Sequence, residues 1–252
     1  MEEKISIPVV LAGISIEIKT AFPGVRPFFA AYMPEDPAGF APAFTAESTE
    51  ELREFYRNDY FETCEREGRK PPAKTPWNMI ETIALHDRIT RKLLEKDIFL
   101  MHGSAIAVDG ECYLFTAPSG TGKSTHTRLW REYFGDRAAM VNDDKPYLYR
   151  KNDRVMVCGT PWNGKHHLGD NIEAPLKAIC VLHQAADNEI VKMTASEAMP
   201  KVFSQIYRPD KAGDLSRTLV FISDMLETVL VYALGCNMDP DAARVSYEGM
   251  QV

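Results

Sequence analysis

No two cysteines of this chain are spaced as a ligand pair. The five, Cys64, Cys112, Cys158, Cys180 and Cys236, are scattered, odd in number and free of any C-x-x-C step, which excludes a disulfide framework and a zinc knuckle and implies reduced thiols in the cytoplasm. Runs of lysine and arginine are also missing. With a formal net charge of −7, the chain offers no electrostatic footprint for nucleic acid or for an anionic membrane, and neither is expected as a partner. No uninterrupted apolar stretch approaches the roughly 20 residues of a membrane span, and the start, MEEKISIPVV, is acidic and breaks its apolar run early. Internal repeats and low-complexity tracts are absent.

The 252 residues that remain to be explained are 45% hydrophobic, enough to fill a core in one large domain with a smaller N-terminal partner. KISIPVVLAGISIEIKT alternates β-branched and polar residues around Gly13, which predicts one or two strands. From Ala21 to Lys74, prolines crowd between short apolar pieces, each restricting itself and its predecessor against helix, and the pattern assigns no elements there. Thr75 is a candidate N-cap with Pro76 at the first helical position. Ile80, Ile83, Ala84 and Leu94 then share one helix face, and Leu85, Ile89 and Leu93 the opposite one. Two apolar faces imply a helix packed between neighbours. The expected division is an α+β N-terminal region, residues 1–97, and a second domain, residues 98–252.

The second domain opens on SAIAVDGECYLFTAPSG, two alternating runs joined by Asp109-Gly110, a dipeptide suited to a tight two-residue hairpin. The strand that leads into TAPSGTGKST is therefore antiparallel to its predecessor, unlike the parallel, helix-linked pairs of the common phosphate-loop enzymes. Further segments read as a helix over STHTRLWREYF closed by Gly135, a strand AAMVNDD, a hairpin around Lys151-Asn152-Asp153, strands LKAICVLHQ and EIVKMT, and two C-terminal helices, about 196–207 and 215–234. The fold class expected is α/β, with a mixed, largely antiparallel sheet whose hairpins feed the loop.

Ser119, Gly120, Thr121, Gly122, Lys123, Ser124 and Thr125 form a phosphate-binding loop between a strand and a helix. Gly120 and Gly122 let backbone N–H groups turn toward an anion, Lys123 reaches the β and γ phosphates, and the Ser124 hydroxyl ligates Mg²⁺. Ala117 stands where such a loop usually opens with glycine, at little cost if its φ is negative. Asp143 and Asp144 end an apolar strand, where a metal needs a carboxylate and a nucleophilic hydroxyl needs a proton acceptor. Neighbouring strand residues face opposite sides, so the two acids divide these roles from a bend. His102 stands just ahead of the hairpin.

MHGSAIAVDG, APSGTGKST and VNDD, in that order, resemble the HPr kinase/phosphorylase family and, more distantly, ATP-dependent phosphoenolpyruvate carboxykinase. The likeness covers roughly residues 98 to 190. It implies a phosphate-clamping Lys123, Mg²⁺ on Ser124, an active-site His102, Asp143 on the metal side and Asp144 as general base, with the last two roles open to exchange. It implies ATP and Mg²⁺ as cofactors, and an acceptor hydroxyl on a peptide, protein or small molecule. A homo-oligomer is left open, some relatives being hexamers.

One region departs from the family. Where HPr kinases carry a glycine-rich signature, this chain reads CGTPWNGKHHLGDN. Trp162, Lys165 and His166 there form a candidate substrate or nucleotide loop, the alternative being a surface hairpin around a buried tryptophan. Arg128 and Arg217 are further candidates to face phosphate, although helical arginines normally lie on solvated faces. The leading expectation is a kinase. A non-catalytic nucleotide sensor is the alternative, and a carboxykinase needs substrate clamps for which the chain has little room.

Overall fold

The computed structural model describes residues 3–251. The chain divides into two compact units, Met1–Lys92 and Leu93–Val252. In the first, β1 (Ile5–Leu11) and β2 (Ile14–Thr20) pair antiparallel through a turn at Ala12 and Gly13, both at positive φ, and β3 (Phe44–Glu47) adds parallel to β2. Pro23–Tyr32 winds as a 3₁₀ segment. Helix α1 (Glu50–Arg66) starts at Thr49, whose side chain accepts from the Leu52 N–H at 3.2 Å.

Helix α2 (Trp77–Leu94) begins after Pro76 rather than at it, and the Pro76 carbonyl accepts the first helical bond, from Ile80 N–H. Ile80, Ala84, Leu85, Ile89 and Leu93 are fully buried, while Ile83 is only partly so.

The second unit is a nine-stranded mixed sheet between two helical layers. Its strands are β4 (Phe99–Leu100), β5 (Ser104–Val108), β6 (Glu111–Thr116), β7 (Ala138–Asn142), β8 (Tyr147–Lys151), β9 (Arg154–Cys158), β10 (Glu173–Gln184), β11 (Glu189–Lys192) and β12 (Leu230–Cys236). β5 and β6 form the expected antiparallel hairpin, with Asp109 and Gly110 at φ 51° and 83°. β6 pairs parallel with β10, which pairs parallel with β12. The other pairings of this sheet are antiparallel.

Alternation along β6 distributes its side chains to both faces. Cys112 and Leu114 enter a core covered by α4 (Ala195–Phe203) and α5 (Ala212–Leu226), whereas Tyr113 and Phe115 enter one covered by α3 (Lys123–Phe134) and α6 (Asp241–Gly249). The second C-terminal helix of the sequence reading is corrected here. It ends at Leu226, and Leu230–Cys236 is strand β12. A short, wholly apolar run carries no periodicity to separate strand from helix, and pairing with β10 on one side and β11 on the other decides the matter.

Candidate active site

The phosphate-type loop lies at the C-terminal end of β6 and runs into α3. Gly120 and Gly122 have φ of 81° and 119°, left-handed backbone that an L side chain resists. Ala117 is not among the positive-φ residues. Its methyl is buried in the core beneath α3, which is why alanine serves at this position. Ser119, Gly120 and Ser124 are exposed, and Thr121, Gly122 and Thr125 half-exposed. The Lys123 ammonium folds back over the loop and donates to the Ala117 carbonyl at 2.8 Å. Burial lowers the Lys123 pKa, against a smaller upward pull from Asp144.

Strand β7 stops at Asn142, and the acidic doublet follows in a bend that parts the two carboxylates. Asp143 is buried and its Oδ1 accepts from the Gly164 N–H at 2.6 Å. Asp144 instead faces His102, with Oδ1 3.4 Å from Nε2, and Lys145 Nζ lies 3.7 Å from its Oδ2. Burial pushes the Asp144 carboxyl up, but the His102 contact and the charges of Lys145, His102 and Lys123 outweigh it and hold the group below the ordinary aspartate value. Lys123, His102 and Asp144 are thus brought together, while one oxygen of Asp143 is held by the Gly164 N–H.

Two amides hold this arrangement. Asn142, fully buried, accepts at Oδ1 from the Asp144 and Lys145 N–H groups at 2.8 and 2.5 Å, an Asx-type turn that sets the bend. Its Nδ2 donates to both oxygens of Thr160 and to Asn163. The second amide is Gln205, just past α4. Its Oε1 lies 3.1 Å from His102 Nδ1 and its backbone carbonyl accepts from the His102 N–H, while its Nε2 donates to Ser204.

The loop at 159–172 meets the site by backbone rather than by the side chains singled out. Gly164 makes the contact with Asp143, and a Cβ there would sit 3.2 Å from Oδ2. Trp162 is buried, as in the alternative reading, whereas Lys165 and His166 are exposed. Neither arginine candidate turns to the loop: Arg128 pairs with Glu132 at 2.6 Å and Arg217 with Asp97 at 2.8 Å.

Beside the loop, on the α4 face of the sheet, lies a cleft of about 730 Å³ between Thr116–Thr121 and the side chains of Val181, Gln184, Met193, Lys201 and Gln205. Gln184 Nε2 reaches the Thr121 carbonyl at 3.5 Å across it. Among the described residues, no group of three His, Cys, Asp or Glu is placed to hold a metal ion. The donor set fits a Mg²⁺ that takes one or two protein oxygens and completes its shell with phosphate oxygens and water. The exposed Ser124 hydroxyl and one aspartate would supply them. The two left-handed glycines and a lysine anchored by a single bond to its own loop likewise fit a triphosphate.

No family model matches the chain, and no curated protein matches it. Among solved structures, the chain is similar to the Hpr(Ser) kinase/phosphatase from Coxiella burnetii, with a TM-score of 0.35 and 11% identity over 61% of this chain and 99% of that one. A likeness that distant carries no argument for fold or activity. The functional reading rests on the chain's own geometry. No described helix is long and apolar enough to cross a membrane.

Proposed function

We propose that this chain is a Mg²⁺-dependent phosphotransferase that moves the γ-phosphoryl group of ATP to an acceptor hydroxyl. The observation that carries the reading is the position of Asp144, 3.4 Å from the His102 ring and within the field of Lys123. A phosphate loop alone would make a nucleotide binder. A carboxylate in the field of the loop's own lysine and 3.4 Å from a histidine adds a group to receive the acceptor's proton.

In this reading, loop N–H groups and Lys123 hold the β and γ phosphates, and exchange of the Lys123–Ala117 bond for a phosphate oxygen releases the ammonium. Ser124 and Asp143 would hold the cation, Asp143 through the oxygen that Gly164 leaves free; bound Mg²⁺ supplies neutralisation of phosphate charge. Asp144 receives the hydroxyl proton and His102 fixes its orientation. The depressed pKa of Asp144 weakens it as a base but keeps it ionised throughout the neutral range. Little driving force is needed, since phosphoryl transfer depends mainly on positioning and charge neutralisation.

A non-catalytic nucleotide sensor is favoured by one feature: Asp143 is already engaged by Gly164. Incubation with γ-labelled ATP and fractionated lysate separates the two. Label on an acceptor supports transfer, and ATP binding with free phosphate as the only product supports the sensor.

A further inference from the structure

We infer that the cleft beside the loop is the acceptor subsite, and that it takes a small amphipathic hydroxy acid, a molecule with one hydroxyl, one carboxylate and an apolar body. This rests on the phosphotransferase reading above and names its substrate class. The cleft, about 730 Å³, is of small-molecule size. Its floor is apolar, from Val181, Met193 and Ala233. His183 supplies its one ring, and no Phe, Tyr or Trp lines it.

Its charge is one-sided. Among the described residues, no carboxylate lines the cleft, and Lys201 is its one ammonium, in a chain of net charge −7. The natural partner for Lys201 would be Glu197, one turn back on α4. One oxygen of Glu197 is engaged elsewhere: its Oε2 accepts from the Thr194 N–H at 2.8 Å and hydroxyl at 2.7 Å in the box that caps the helix. Lys201 is left to meet an anion from solution.

One residue of the cleft wall reaches the groups that would handle a hydroxyl, although His102 and Asp144 do not themselves line it. Gln205 lines its wall and holds His102 Nδ1, and the other edge of that ring faces Asp144. An acceptor seated with its carboxylate on Lys201 would direct its hydroxyl to the loop. The acceptor oxygen bonds to the γ phosphorus as the bond from that phosphorus to the bridging oxygen breaks. The hydroxyl proton passes to Asp144, and ADP leaves with the electron pair of the broken bond.

The test is a binding measurement on the whole chain loaded with a non-hydrolysable ATP analogue and Mg²⁺. The probes are hydroxy acids of rising apolar length, from glycolate to 3-hydroxyoctanoate, each against its primary amide, with a serine peptide and adenosine as further arms. The expected result is that an acid binds and its amide does not, and that Lys201→Glu weakens the acid roughly tenfold while leaving analogue affinity unchanged. Lys201 is exposed, so the variant folds. Equal binding of acid and amide, binding of the peptide alone, displacement by adenosine, or no binding of any acid each overturns the inference. An acid that binds through Lys201 but gains no label from γ-labelled ATP leaves the subsite standing and removes the phosphotransferase reading instead.

Discussion

At the scale of single residues, Asp144 and Asp143 divide the work: Asp144 faces His102 and Asp143 is held by Gly164. Asp144→Asn keeps the shape and removes the proton acceptor, so transfer should fall roughly 10²–10⁴-fold while analogue affinity stays unchanged, as read by single-turnover kinetics and calorimetry. The pH dependence follows from the direction of its shift. A carboxyl whose folded-state pKa lies below its unfolded value stabilises the protein above the unfolded value, and that contribution is lost as pH falls through the folded one. Thermal melts at falling pH should therefore show an acid-side loss, starting near the ordinary aspartate value of 3.8 and continuing below it, that is smaller in Asp144→Asn. Lys123→Met should abolish analogue binding without lowering the apo melting temperature, because burial already disfavours that ammonium. Of the residues proposed to carry chemistry, the loop and the acids were proposed from type and spacing, and His102 from the family resemblance. Their supports were not. Gln205 meets His102 across 103 residues of chain, and an amide has no pattern of its own to announce such a partner. Asn142, beside the acids, showed only the turn preference of any asparagine.

At the scale of elements, the site depends on how β7 ends and where the following segments cross it. Asn142→Ala would strand the Asp144 and Lys145 N–H groups and the Thr160 carbonyl together, at a cost of about 3 kcal/mol read from a lower urea midpoint at unchanged slope. Gly164→Ala is a gentler probe. The added methyl would press on the Asp143 carboxylate from 3.2 Å and should lower activity with little loss of stability. Hairpin β5–β6 could be read in advance because Asp109-Gly110 has a local reason to turn. Strand β12 could not, since its identity comes from pairing with β10 and β11 rather than from its own residues. The loop at 159–172 showed its donors, Lys165 and His166, while its contact to Asp143 runs through a glycine N–H that any residue but proline would possess.

At the scale of the whole molecule, the second unit holds every element of the proposed site, from the loop on β6 to α4. Ligand binding should therefore appear as stability of that unit: an analogue at 100 times its Kd adds about 2.7 kcal/mol to it. Each kcal/mol moves the melting point of a domain this size by about 2–4 °C, so a rise of roughly 5–10 °C is expected in wild type and none in Lys123→Met. The central claim is that loop, histidine and acid converge on one terminal phosphate. A crystal structure with a non-hydrolysable ATP analogue and Mg²⁺ tests it directly. The account predicts Lys123 Nζ moved from the Ala117 carbonyl onto the γ phosphate, with the Asp144 carboxylate and His102 ring beside that phosphate. A triphosphate bound with its γ phosphate out of reach of Asp144 would contradict it.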